Sequence, residues 1–257
     1  MKITPKKSLG QNFLVNNGVV QKILSAAEVT SDDIVIEIGP GKGVLTEELG
    51  GKANRVIAIE KDHRLISDLK NTFREFSNVE IIESDVLKFS PYSILHIPYS
   101  ITHNPYKVVA NIPYYITSHL LKTIFESWPI PKLIVLMVQK EVAQRIMARP
   151  PRMNLLALSV QFYAEPKIIS YVSRGSFRPM PKVDSAIIRL TPKYGIWNME
   201  YGIKDRFFKL IKTAFAGKRK QLKNTVGREI LEKAGIRPES RPEELSLGDW
   251  LKIAAEV

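Results

Sequence analysis

Cysteine is absent from the 257 residues, which excludes a disulfide framework, a Cys-ligated zinc or iron–sulfur site and a thiol nucleophile. Long hydrophobic runs are absent too. None reaches the ~18 residues that a membrane span needs, and the opening Met-Lys-Ile-Thr-Pro-Lys-Lys-Ser has no apolar stretch for a secretory signal. The expectation is a cytoplasmic protein with no membrane partner. Histidine is scarce, and His63, His96, His103 and His119 show neither metal-ligand nor triad spacing. Structural roles and no bound metal are expected of them. Acidic residues are also in short supply, 26 against 38 Lys and Arg, for a net charge of +12. The remaining composition, 44% hydrophobic and 25% charged, suits a globular fold and excludes a disordered or collagen-like chain. The length allows one large and one small domain.

The positive excess is unevenly spread. Lys204, Arg206, Lys209, Lys212, Lys218, Arg219, Lys220, Lys223 and Arg228 face a single acid, Asp205, so this stretch alone carries +8. The first 27 residues hold Lys2, Lys6, Lys7 and Lys22 and no acid. A solvated helix face mixes both signs, and these segments do not. They suit a polyanionic partner, nucleic acid or an anionic membrane surface, with nucleic acid preferred.

Short β-rich runs alternate with helical patterns through the middle of the chain, as in α/β folds built on a mostly parallel sheet. Strands are expected at Ile34–Ile38, Arg55–Glu60, Val79–Glu83, Lys107–Ala110 and Leu133–Val138. Helices are expected after Gly43, over Asp62–Phe76 with Asp62 as N-cap, over Thr117–Trp128 with Thr117 as N-cap, and over Lys140–Ala148. After Pro150-Pro151 the pattern reads as consecutive strands, Leu155–Tyr163, Lys167–Val172 and Val183–Leu190, with an antiparallel member in the late sheet and an irregular proline-rich loop at Gly175–Lys182. Helical spacing returns in Lys204–Ala216, Arg219–Ala234 and Pro242–Ala255. These patterns place a large α/β domain at 1–192 and a small basic helical domain at 193–257.

The chemistry-bearing residues fall at successive strand ends, where an open α/β sheet forms its ligand crevice. Gly39-Pro40-Gly41-Lys42-Gly43 follows the first of these strands and opens a helix, so backbone can approach a nucleotide-like ligand closely. Its G-x-G-x-G spacing is not the dinucleotide G-x-G-x-x-G. Glu60 ends the next strand, where an acid can accept both hydroxyls of a ribose, and Asp85 follows the third, within reach of an adenine edge. Asn111-Ile112-Pro113-Tyr114 offers an amide oxygen, a carbonyl in a proline-stiffened turn and an aromatic face. Two such acceptors can hold the N–H groups of an exocyclic adenine amine, whose lone pair is otherwise delocalised into the ring, and Tyr114 can stack on the base. A sulfonium donor then needs only in-line approach, and no tuned general base.

The chain closely resembles the small-subunit rRNA adenine dimethyltransferases (KsgA type). The resemblance is carried, in order, by Lys7-Ser8-Leu9-Gly10-Gln11-Asn12-Phe13-Leu14, Glu37-Ile38-Gly39-Pro40-Gly41-Lys42-Gly43, Asn111-Ile112-Pro113-Tyr114, Met137-Val138-Gln139-Lys140-Glu141-Val142-Ala143 and Phe177-Arg178-Pro179-Met180-Pro181-Lys182-Val183-Asp184-Ser185-Ala186. Glu243-Glu244-Leu245-Ser246 continues it near the C-terminus. It implies a class I, Rossmann-like methyltransferase fold with a mostly parallel seven-stranded sheet and a small C-terminal helical domain. It further implies a cytoplasmic monomer that takes S-adenosylmethionine, uses no metal and releases S-adenosylhomocysteine. The implied partner is the small ribosomal subunit precursor and its rRNA, with two adjacent adenosines of the 3′-terminal hairpin converted to N6,N6-dimethyladenosine.

By motif position, Gln11, Asn12, Leu14, Gly39, Gly41, Glu60, Asp85 and Asn111 would contact the cofactor. Asn111, Pro113 and Tyr114 would hold the target base, with Phe177 as its second stacking face. Lys218, Arg219, Lys220 and Lys223 would meet RNA phosphates. Arg149–Asn154 departs from the family, which carries a Tyr-Gly pair there, and Ser90–Asn104 reads as a surface insertion. The large-subunit rRNA adenine methyltransferases of macrolide-type resistance share Asn-Ile-Pro-Tyr but fit the first string and the C-terminal one less well. A factor acting by binding alone and a nucleotide-dependent dehydrogenase are the other readings; the intact acceptor residues oppose the first, the glycine spacing and basic tail the second.

Overall fold

The computed structural model describes residues 4–6, 9–95, 106–197, 202–217 and 220–257. In chain order the elements are β1 (Phe13–Leu14), α1 (Asn17–Ala27), β2 (Ile34–Ile38), α2 (Val44–Gly50), β3 (Arg55–Glu60), α3 (His63–Thr72), β4 (Val79–Glu83), α4 (Tyr92–Leu95), β5 (Tyr106–Asn111), α5 (Thr117–Ser127) and β6 (Leu133–Gln139). There follow α6 (Lys140–Ile146), α7 (Leu155–Tyr163), β7 (Ala164–Val172), β8 (Phe177–Arg178), β9 (Ser185–Pro192), α8 (Tyr194–Trp197), α9 (Ile203–Ala216), α10 (Arg228–Lys233) and α11 (Leu247–Ala255). The chain divides into two compact units, Met1–Ala143 with Lys167–Pro192, and Gln144–Pro166 with Lys193–Val257. The expected boundary at 192 differs in one respect: Gln144–Pro166 groups with the C-terminal residues.

The seven-stranded sheet has the order β4-β3-β2-β5-β6-β9-β7. Pairing is parallel from β4 through β6 and antiparallel between β6 and β9. The central strands are continuous apolar runs because helices cover both faces of a parallel sheet; Val35, Ile36, Val108, Val109, Ile134 and Val135 are fully buried. Chain direction away from β2 reverses between β3 and β5, which puts the topological switch point at the carboxyl ends of β2 and β5. Helix α1, unforeseen from the sequence, packs Val19, Val20, Ile23, Leu24 and Ala27 into the same core with helical spacing. Asp62 caps α3 as expected, accepting from Arg64 N at 3.2 Å.

Several local expectations fail for identifiable reasons. Leu155–Tyr163 is helix, not strand: Asn154 Oδ1 accepts from Ala157 N at 3.0 Å and starts α7, whose apolar surface on all sides erased the periodicity that separates the two. Thr117 is the first residue of α5, not its cap, and its hydroxyl donates to Tyr114 O at 3.0 Å. Arg219–Ala234 is not one helix. Among its described residues only Arg228–Lys233 is α-helical, after a 3₁₀ turn at Leu222–Asn224 and Gly227 at φ +100°. Pro242–Ala255 likewise splits, and Ser246 and Asp249 form a capping box that starts α11. Of the Ser90–Asn104 segment, Tyr92–Leu95 forms one helical turn and residues 96–104, with His96 and His103, lie outside those described. The C-terminal unit has its own aromatic core, in which Phe162 stacks on Phe207 at 4.7 Å and Trp250 is fully buried.

A buried ion pair fixes the amino ends of β2 and β5. Lys107 is 3% exposed, and its ammonium donates to Asp33 Oδ2 at 2.7 Å and to Glu28 O at 2.6 Å. Asp33 also accepts from the Thr30 amide and hydroxyl. Removing one partner of such a pair strands the other charge in the core. Lys107→Met is expected to cost roughly 3 kcal/mol in denaturant unfolding, and Lys107→Met with Asp33→Leu distinctly less than the single change.

Candidate active site

The strand ends at the switch point enclose a cleft. Its lining includes Leu9–Leu14, the glycine loop, Glu60 and Lys61, Ser84–Leu87 and Asn111–Ile116. The loop Gly39–Gly43 turns from β2 into α2 through left-handed glycines. A side chain at Gly41 (φ +59°) would put its Cβ 2.9 Å from the Phe13 ring, and one at Gly43 (φ +81°) 2.6 Å from the Phe73 ring. The loop is therefore pressed between the N-terminal segment and α3, with its backbone facing the cleft.

Two carboxylates stand on the β3–β4 wall. Glu60 accepts from Gly41 N at 3.2 Å on Oε2 and from Asp62 N at 2.8 Å on Oε1. Each oxygen retains acceptor capacity. Burial raises its carboxyl, and these backbone bonds oppose the rise. Asp85 is held by Lys61 Nζ at 2.7 Å and by Leu87 N at 3.1 Å. The Lys61 hydrogen bond is the main cause that lowers it, so it stays ionised.

The N-terminal segment crosses the cleft and is tied on both sides. Gln11 Nε2 donates to Asp62 Oδ2 at 2.8 Å while Gln11 Oε1 accepts from Lys6 N at 2.7 Å, which uses both ends of its amide on protein. Asp62 is held well below the usual carboxylate range by the Arg64 guanidinium. Asn12 Nδ2 donates to Gly10 O at 3.1 Å, and Asn12 O accepts from Asn111 Nδ2 at 3.4 Å. With its NH₂ so engaged, Asn111 has its amide oxygen left as an acceptor. Tyr114, half-buried, bonds through its hydroxyl to Ser185 Oγ at 2.6 Å, which fixes the ring plane. Tyr115 beside it is exposed.

The structure thus brings together Gln11, Asn12, Leu14, Gly39, Gly41, Glu60, Asp85, Asn111, Pro113 and Tyr114. Phe177 does not join them. Antiparallel pairing of Leu14 with Phe177 places that ring, expected as a second stacking face, in the hydrophobic core, where it is 1% exposed. Of the basic set, Lys220 is exposed and Lys223 is partly neutralised by Glu239 at 3.4 Å; both belong to the C-terminal unit, while Lys218 and Arg219 lie outside the described residues.

Sequence reasoning missed Glu37. It lies in β2, lines the cleft and is 1% exposed, and its Oε2 has no hydrogen-bond partner among the described residues. Burial pushes its carboxyl up to about 8, the Thr46 hydroxyl opposing the rise and the Glu60 charge adding to it. Its signal was a lone acid inside an otherwise apolar strand, Ile-Val-Ile-Glu-Ile. Together these groups can accept hydroxyls and amines from a nucleoside, receive a cation, and hold an amino group against an aromatic face.

The family model described as ribosomal RNA adenine dimethylase matches residues 3–257. The chain belongs to the ribosomal RNA adenine dimethylase family. Among its relatives, a ribosomal RNA small subunit methyltransferase A of Dehalococcoides mccartyi is 44% identical, over 98% of this chain and 88% of that protein. A dimethyladenosine transferase from Plasmodium falciparum superposes with a TM-score of 0.81 at 30% identity, covering 94% and 95% of the two chains. The 23S rRNA methyltransferase ErmE gives 0.73 at 28% identity, over 95% and 99%. For a member of the ribosomal RNA adenine dimethylase family, the seven-stranded Rossmann-like fold is the expected one, and the Asn111–Tyr114 turn lines its cleft.

Glu37 makes stability depend on pH. Between about 4.5 and about 8 the unfolded chain loses this proton while the folded one keeps it, so folding weakens as pH rises through that window. The stability of Glu37→Gln relative to the wild type should therefore grow by roughly 3–5 kcal/mol from pH 4.5 to pH 8.5, read by denaturant unfolding without added ligand.

Proposed function

We propose that this chain transfers methyl groups from S-adenosylmethionine to N6 of two adjacent adenosines in the 3′-terminal hairpin of small-subunit rRNA during subunit assembly, giving N6,N6-dimethyladenosine. The observation that carries the reading is the polarity of Asn111: an amide tied by its NH₂ to Asn12 O presents an acceptor to the cleft beside Pro113 and the fixed Tyr114 ring. The names of the relatives, small-subunit enzymes at 38–44% identity, support the choice of substrate.

The residues fit the cofactor. The glycine loop brings backbone to the cleft, and Glu37 brings to it a buried carboxyl oxygen with no hydrogen-bond partner among the described residues. When bound, S-adenosylmethionine supplies an electrophilic methyl on a cationic sulfur. Glu60 would take the ribose hydroxyls with its remaining lone pairs, Asp85 the adenine edge, and Gln11, Asn12 and Leu14 would close the segment over them. Asn111 Oδ1 and the Ile112 carbonyl accept the two N–H groups of the target amine and draw its nitrogen toward tetrahedral geometry. Tyr114 stacks on the base. Held this way, the amine nitrogen would present its lone pair to the methyl that the bound sulfonium would supply, and its proton would be given up to water. Positioning is the chain's contribution to the rate. The basic Lys204–Arg228 stretch supplies phosphate contacts that orient the enzyme without reading sequence.

The test is methyl transfer from labelled S-adenosylmethionine to undermethylated small subunits, with large-subunit rRNA in parallel and mass mapping of the products. Dimethyladenosine confined to the small-subunit hairpin upholds the reading, label on large-subunit rRNA assigns the chain the ErmE-like substrate, and no label removes catalysis. Asn111→Ala is expected to lower transfer at least about a hundredfold while the cofactor Kd, from equilibrium binding, changes only a few-fold. Neutralising Lys218, Arg219, Lys220 and Lys223 together should weaken subunit binding and flatten its salt dependence by roughly 0.7–0.9 in log–log slope for each phosphate no longer neutralised, with Lys223, already paired to Glu239, contributing least.

A further inference from the structure

Beyond the acceptor turn, the same edge of the sheet carries a surface that neither cofactor binding nor methyl transfer uses. From the end of β5 at Asn111 the strand order continues through the end of β6 at Gln139 and the start of β9 at Ser185 to the edge strand β7. Tyr171, one residue from the end of β7, is 51% exposed, and the Lys140 ammonium lies 5.1 Å from its ring centroid. The surface is tied to the target turn by a short chain of contacts. Lys140 N donates to Asp184 O at 2.9 Å, Arg174 N donates to Asp184 Oδ1 at 3.0 Å, and the next residue, Ser185, holds the Tyr114 hydroxyl. The segments linked in this way expose the cations Lys140, Arg174 and Lys182 against the acids Asp184 and Glu141, together with the apolar Val183.

A half-exposed aromatic ring capped by a cation on a net positive rim is the combination that binds unstacked nucleotides: the ring takes a base face and the cations take phosphate. Flipping the target adenosine into the cleft breaks its stack and leaves neighbouring bases without a partner. Three strand spacings separate Asn111 from β7, roughly 14 Å, within reach of the nucleotides next to the flipped one. We propose that Tyr171 is a stacking platform for a base flanking the methylated adenosine, with Lys140 and Arg174 meeting the phosphates beside it. The inference rests on the proposed RNA substrate and adds a positioning residue to it.

The experiment compares wild type, Tyr171→Ala, Tyr171→Phe and Lys140→Ala on undermethylated small subunits. Tyr171→Ala should raise KM about fivefold to a hundredfold, with kcat falling less than KM rises and cofactor affinity unchanged. Tyr171→Phe should restore KM to within about twofold, because stacking needs the ring and not the hydroxyl. Lys140→Ala should lower the log–log salt slope by roughly 0.7–0.9, whereas Tyr171→Ala should leave that slope in place. A benzophenone side chain at position 171 should crosslink to rRNA beside the methylated adenosines. An unchanged KM in Tyr171→Ala, a Phe variant as weak as the Ala variant, or a crosslink to a ribosomal protein would each overturn the platform. If the wild type methylates large-subunit rRNA instead, the substrate reading fails, and the same Tyr171 comparison on that RNA decides the platform separately.

Discussion

Parallel pairing of β2 with both of its neighbours is the constraint on which the cleft depends. Ile38 pairs with Ile59 on one side and with Ala110 on the other, so three strands finish at one height. Glu60 and Asn111 are the last residues of their strands, and the glycine loop leaves the third. Their relative positions are therefore set by the ladder of backbone hydrogen bonds before any side chain acts. A slip of one residue in either pairing would turn an acceptor away from the crevice and an apolar residue into it. The opposite end of the same strands is held independently, since Lys107 pairs with Val35 in register and carries its ammonium back to Asp33.

The N-terminal segment is built on that frame and in turn gives it chemical direction. Phe13 lies against Gly41, Gln11 reaches Asp62, and Leu14 pairs with Phe177, so the segment is fastened at three points spread widely through the sequence. Between them Asn12 offers its carbonyl to Asn111. An asparagine side chain is otherwise free to turn either end outward. This contact engages the NH₂ and leaves the oxygen as the acceptor end.

Much of this was legible in the sequence, and the failures have physical causes. The strands β2, β3, β5 and β6 were visible because burial on both faces makes them largely apolar runs bounded by turns, the edge strand β4 through its β-branched Val79, Ile81 and Ile82, and Glu60, Asp85 and Asn111 because they sit where such runs stop. The identity of α7 was hidden by the same uniform apolarity, although Asn154 was present as its cap. Strands β1 and β8 have two residues each, too few to leave a period, so nothing local revealed that their pairing buries Phe177. The ties of Gln11 to Asp62 and of Tyr114 to Ser185 span 51 and 71 residues, a separation at which sequence spacing carries no information. Glu37 was readable in principle: a carboxyl in the middle of a buried strand is costly and therefore calls for a reason.

That cost is explained by the environment of the three acids on the cleft wall. Asp85 keeps its charge through Lys61, Glu60 is buried but bonded to two backbone amides, and Glu37 is buried with an oxygen unbonded. Ionisation of Glu37 would set a second negative charge beside Glu60 in a buried region of low dielectric. Holding Glu37 near neutrality avoids that repulsion, at the expense of a polar atom left unsatisfied. A cation entering the cleft reverses the balance, because it compensates the charge Glu37 would acquire and gives its free oxygen a partner. A neutral ligand of equal size would not compensate that charge.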